Sequence, residues 1–178
     1  MKTIRVWDPL VRVLHWTLVI CVISNLLNES GEIVHRWLGY TASAVVFLRF
    51  GWGFIGSRYA RFADWFPTRA RLLPYVRALM RNKAPRHLGH NPAGAVMMLG
   101  LMTLVAALGI TGFMMTTDIF FGEDWLEQVH EALADVLVGA VSLHVGAALF
   151  ESCKHRENLI ASMIHGRKAA PDAVDTKS

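Results

Sequence analysis

Four of the eight histidines in the 178-residue chain, His15, His35, His130 and His144, lie inside or at the mouths of long apolar segments. A protonatable side chain in hydrocarbon is costly, so each marks a functional site by default. His130 and His144 are 14 positions apart. On a helix that is a rise of roughly 21 Å and a rotation about 40° short of whole turns, which puts both imidazoles on one face. His35 opens an earlier apolar segment, and His15 lies a turn or so inside the first one. Their depths match in pairs, His35 with His130 and His15 with His144. Each level offers two histidines from separate helices, with no Cys, Asp or third His to complete a tetrahedral ion site. A haem supplies four equatorial nitrogens of its own, so two imidazoles complete it. The pattern therefore predicts two haems with both axial positions filled, which leaves no place for oxygen chemistry. Electron transfer remains.

Other residues are placed to support the same chemistry. Arg49 follows His35 by 14 positions, so it shares that face and reaches the inner level, where a propionate could pair with it. Arg36 is placed to meet an outer propionate. Gly39, one turn after His35, and Gly139, Ala140 and Gly146 around His144 leave room for a macrocycle, although small residues equally serve helix packing. His87, His90, His155 and His165 fall in water-accessible segments and are not expected to bind haem. Glu127, Glu131 and Asp135 recur at four-residue steps and read as acids favoured by a helix start rather than as a proton path.

The elements that must hold these residues follow from hydropathy. The chain is 53% hydrophobic and 18% charged, unusual for a soluble domain of this size. Formal charge is absent between Arg12 and Glu29, between Arg86 and Asp118, and from Val136 to Phe150, and Leu38 to Ser57 carries only Arg49. A spanning helix needs roughly 20 mostly apolar residues, which predicts four, at about 10–28, 35–55, 93–116 and 129–151. An open sheet cannot satisfy its backbone in lipid. The predicted fold class is an all-α membrane protein, a four-transmembrane-helix bundle. Residues 1–155 form the di-haem membrane domain and 156–178 a polar cytoplasmic tail, its end from Gly166 having the composition of a disordered segment.

The net charge of +4 does not point to nucleic acid, because its distribution is that of a membrane protein. Ser57 to Arg86 carries Arg58, Arg61, Arg69, Arg71, Arg77, Arg81, Lys83 and Arg86 against Asp64 alone, while the other connections carry Glu29 and Glu32, then Asp118, Glu123, Asp124 and Glu127. The positive-inside rule places both termini and the middle loop in the cytoplasm. Within that loop Leu72, Leu73, Val76, Leu79 and Met80 can share a face opposite the arginines, predicting an interfacial helix on anionic headgroups, with Pro74 confining it to the later part. Trp7, Trp37, Trp52 and Trp125 are expected at the interfaces. No small-x-small cleavage site follows Leu27, so the first span is expected to be retained. Cys21 and Cys153 fall at different depths and are expected to pack rather than pair.

These residues form motifs. Trp7-Asp8-Pro9 with Arg12 and His15-Trp16, His35-Arg36-Trp37-Leu38-Gly39-Tyr40, Arg49-Phe50-Gly51-Trp52-Gly53-Phe54-Ile55-Gly56-Ser57, Ala60-Arg61-Phe62, Gly89-His90-Asn91-Pro92-Ala93-Gly94, Thr111-Gly112-Phe113, and His130-Glu131 with His144 together resemble the bacterial cytochrome b561 family. The nearest branch is similar to the b-type cytochrome subunits of nickel-iron hydrogenases. The resemblance covers about residues 5–155. It implies a four-helix protein of the bacterial inner membrane with two haems b on His15, His35, His130 and His144. Such a protein passes electrons between the quinone pool and a periplasmic redox partner such as a c-type cytochrome, and a homodimer is compatible with it. Two alternatives stay open: a self-sufficient oxidoreductase exchanging electrons between a small periplasmic species such as superoxide and quinone, and a membrane-anchoring subunit of a hydrogenase-like complex. Gly89-His90-Asn91-Pro92 offers a helix start to a quinone carbonyl, or is simply a helix-initiating turn.

Overall fold

The computed structural model describes residues 2–28 and 33–170. Among the described residues, four helices are long and apolar enough to cross a membrane: α1 (Pro9–Leu26), α2 (Ile33–Ile55), α5 (Pro92–Met114) and α6 (Asp124–His155). Short helices α3 (Phe62–Trp65) and α4 (Arg69–Met80) lie between α2 and α5, while α7 (Leu159–His165) follows α6. The protein is an all-α membrane bundle. The acidic connection holding Glu29 and Glu32, and residues 171–178, lie outside the described residues.

Helix starts follow from local chemistry. Asp8 and Asn91 each precede a proline at the first helical turn, and each side-chain oxygen accepts from a backbone N–H three residues on, Val11 at 2.9 Å and Gly94 at 2.6 Å. These are N-caps followed by a residue that needs no N–H partner. Helix α6 begins in acids, Asp124 and Glu127, and ends in Lys154 and His155, the polarity that its dipole favours. Its 32 residues run about 48 Å, longer than the roughly 30 Å hydrocarbon layer, so both charged ends emerge from it.

Helix α2 packs on α1 and α5, and α5 packs on α6. The shared core contains Cys21, Ala42, Val46, Phe62, Trp65, Ala95, Met102, Val105 and Leu137. Outward faces are apolar too, with Phe47 76%, Ile20 62% and Leu143 63% exposed. In water that surface would be a liability, but in lipid it is the solvent-facing side.

The two termini meet at the basic end of the bundle. Strand β1 (Thr3–Arg5) pairs antiparallel with β2 (Arg167–Ala169). Gly166, at φ +79°, caps α7, and its carbonyl accepts from Val6 N and Trp7 N at 2.9 and 3.1 Å. A Cβ there would collide with the Trp7 carbonyl, on top of the left-handed strain. Trp16 Nε1 donates to the Met163 carbonyl at 3.1 Å, and Arg86 Nη2 bridges both Glu157 oxygens at 3.0 Å and the Ala169 carbonyl at 2.9 Å.

Several expectations are corrected here. Residues 159–170 are not a solvated tail; they fold back over the bundle, because β1 supplies a partner strand 162 or more positions away that local composition does not reveal. Pro74 does not confine α4 to its later part, since the helix runs from Arg69 through it. Trp7 is buried, Trp52 donates to Asp8 at 3.1 Å, and Trp37 and Trp125 are exposed. Cys21 packs in the core, but Cys153 is exposed.

Candidate cofactor sites

At the acidic end, α2 and α6 bring His35 and His130 to a ring-centroid separation of 6.3 Å, with the rings inclined at 60°. His35 Nδ1 lies 2.8 Å from the Asn28 carbonyl, so Nδ1–H donates to it. His130 Nδ1 lies 2.7 Å from Thr111 Oγ1 on α5. The threonine hydroxyl donates to the Ala107 carbonyl one turn earlier, at 3.0 Å, and so accepts from His130. Both imidazoles are therefore held as Nδ1–H tautomers, with the Nε2 lone pairs left for a metal. Two imidazoles this close, from separate helices, would hold the iron of a haem. A Cβ on Gly112 would come within 3.3 Å of the His130 ring, so the glycine gives that ring its room.

At the basic end His15 on α1 lies within electrostatic range of His144 on α6. His15 Nδ1 is closed to solvent and has no hydrogen-bond partner among the described residues. Helix α6 makes its main backbone contacts with α5 and α7 rather than with α1 or α2. His35 and His130 thus come together at the acidic end, and His15 lies within electrostatic range of His144 at the basic end; imidazole nitrogens from separate helices would suit haem.

The remaining predicted residues have mixed positions. Arg49 is buried, with Nη2 donating to the Ala60 carbonyl at 3.1 Å and the guanidinium 5.7 Å from the Phe62 ring centroid. Arg36 is exposed on the first turn of α2. Gly39 faces Asn25 of α1, in ordinary contact distance for an added Cβ. Gly139 and Gly146 have open space beside them.

Two features escaped the sequence. Thr111 was visible only as part of a motif, with nothing local to tie it to His130, 19 positions on. His90, expected in a water-accessible segment, instead has its Nδ1 closed to solvent. Its ring is wedged between Trp7 and Trp65, at 4.9 Å from each. Burial, with Arg49, Lys168, His144 and His15 nearby, drives the imidazole down to about 3, so it is neutral. Beside it Lys168 lies 5.5 Å over Trp7, and burial pulls its ammonium below the usual range against the opposing pull of Glu157. Asp8 ties this end together. Burial alone would raise its carboxyl, but bonds from Ser57, Val11 N–H and Trp52, with Arg49 nearby, win and hold it below 3.8.

Comparison with known proteins bears on the family. The family model of the prokaryotic cytochrome b561 matches residues 6–166. A curated relative from Bradyrhizobium diazoefficiens, described as a probable Ni/Fe-hydrogenase B-type cytochrome subunit, is 24% identical over 216 residues, covering 96% of this chain and 87% of its own. No solved structure matches. With four helices long and apolar enough to span a membrane, the match along nearly the whole length is decisive: the chain belongs to the prokaryotic cytochrome b561 family, membrane proteins that bind b-type haem and transfer electrons.

Proposed function

We propose that the chain carries electrons across the bacterial inner membrane through two b-type haems, between the quinone pool and a periplasmic redox partner such as a c-type cytochrome. The observation that carries this reading is the His35–His130 pair, with both Nδ1 atoms anchored and the rings 6.3 Å apart. His15 and His144 hold the second haem. When bound, haem supplies a one-electron iron couple. The four histidines would hold the two haems and, by occupying the iron, would exclude oxygen and other small ligands from it. Asn28 and Thr111 fix the outer imidazoles, Arg36 and Arg49 balance propionate charge, and Gly39, one turn after His35, leaves room for the macrocycle.

The basic end, with both termini, is cytoplasmic by the positive-inside rule. Helix α4 lies on the headgroups there. Its exposed Leu73, Val76 and Met80 dip toward lipid, and its arginines meet phosphates. Tyr75 on the same helix is buried, and burial together with Glu151 pushes its phenol up to about 12, so it stays neutral as an anchor.

A pyridine haemochrome assay on the detergent-purified chain tests the reading: two non-covalent haems per chain are expected, titrating as two potential components, and one haem or none refutes it. The Bradyrhizobium relative favours a second reading, in which the chain is the membrane-anchoring b-type subunit of a hydrogenase-like complex. Co-purification of a hydrogenase-like subunit would select it.

A further inference from the structure

Three donors stand idle together at the basic end. Arg49 Nη1, Trp65 Nε1 and His90 Nδ1 are each closed to solvent and lack a hydrogen-bond partner among the described residues. They come from α2, α3 and the connection before α5, yet contact links them. The Arg49 guanidinium sits 5.7 Å from the Phe62 ring centroid, Phe62 meets Trp65 at 5.2 Å, and Trp65 meets His90 at 4.9 Å. Gly53 permits this packing, since a Cβ there would overlap the Phe62 ring. His90 is also within electrostatic range of Arg49, Lys168, His15 and His144.

Native proteins carry few buried donors without an acceptor, so three linked by contact imply a common acceptor. The set has a guanidinium and two N–H dipoles, with the Lys168 ammonium nearby and no free oxygen of its own. Asp8, the carboxylate that acts on Arg49, is already engaged by Ser57, Trp52 and Val11. The complement is an anionic oxygen group, which forms charge-assisted bonds with such donors.

We propose that Arg49, Trp65 and His90 form a carboxylate cradle that receives a propionate of the haem held by His15 and His144; this rests on the inner haem of the reading above. His90 donates through Nδ1–H as a neutral imidazole, its plane set by Trp7 and Trp65. Trp65 donates through Nε1–H, and Arg49 contributes the charge. A lipid phosphate reaching in from the headgroup layer offers the same oxygen chemistry, so the test must separate the two.

The test uses the full-length holoprotein with its haems in place. His90→Phe keeps an aromatic ring between Trp7 and Trp65 but removes the donor; His90→Asn returns an amide nitrogen near the Nδ1 position; Trp65→Phe removes the second donor. Resonance Raman bands of the haem propionates, redox titration and haem retention on dilution are read for each. The expected result is a shifted propionate band, a lowered inner-haem potential and retention about ten- to a hundred-fold weaker in His90→Phe and Trp65→Phe. The outer component should be unchanged, and His90→Asn should recover toward wild type. An unshifted band with the inner haem fully retained in both variants overturns the proposal. So does loss of a co-purified phospholipid, seen by its phosphorus signal, in place of the band shift. A wild-type chain with one haem removes the two-haem reading and this proposal together, before any variant is made.

Discussion

Thr111→Val isolates the outer site. Valine keeps the shape of threonine but cannot accept the proton of His130 Nδ1, which lies 2.7 Å from Thr111 Oγ1. The hydroxyl's own bonds to the Ala107 and Leu108 carbonyls, at 3.0 and 3.2 Å, are also lost, but those carbonyls keep their places in the α5 ladder. An imidazole N–H left half-buried without an acceptor costs about 1–3 kcal/mol, and loss of such a supporting contact typically weakens metal binding about 10–100-fold. The outer haem should therefore be lost first on dilution of the purified variant. What remains bound should titrate at a higher potential, because a less basic imidazole favours the reduced iron. The inner component should not move, and Thr111→Ser should behave as wild type. Equal retention of the outer haem in Thr111→Val, or a change confined to the inner component, would refute the assignment of His130 and its orienting contact.

Single replacements should sort the ligands into pairs: His35→Ala and His130→Ala remove one potential component, His15→Ala and His144→Ala the other, and loss of the same component in His15→Ala and His130→Ala would show the pairing wrong. A reporter fused after Asp124 should be active in the periplasm and one after Lys83 in the cytoplasm; the reverse exchanges which site faces which partner. Arg49→Ala should weaken retention of the inner haem and lower the inner component with the outer one unchanged, measured by haem retention on dilution and redox titration. Asp8→Asn keeps a good N-cap but loses the charged oxygen that accepts from Ser57 and Trp52, and should cost about 1 kcal/mol. Because the Asp8 carboxyl is held below 3.8 in the folded state, its stabilisation is present above that pH and fades as pH falls through the lower folded value. Denaturation midpoints of wild type and variant should thus differ at neutral pH and converge in acid.

What could be read along the chain were the terms that act locally. Charge is excluded from hydrocarbon residue by residue, so the four spans appear as uncharged runs, and α1, α2, α5 and α6 begin and end within a few residues of the expected bounds except where α6 extends its charged ends into water. Helical periodicity placed His130 and His144 on one face for the same reason, as the 14-residue spacing needs no knowledge of the partners. Contacts made across long separations were not readable. That the hydroxyl of Thr111 accepts from His130, that Trp7 and Trp65 close on His90, and that Thr3–Arg5 pair with Arg167–Ala169 depend on how helices dock, and nothing in the neighbouring residues encodes it. His90 shows the limit plainly. Its flanking Gly89 and Asn91-Pro92 are residues of an exposed turn, and by local composition the ring belongs in water. The packing of three distant segments around it makes it a half-buried neutral ring whose Nδ1 is closed to solvent instead, because burial is a property of the docked elements and not of the segment that carries the side chain.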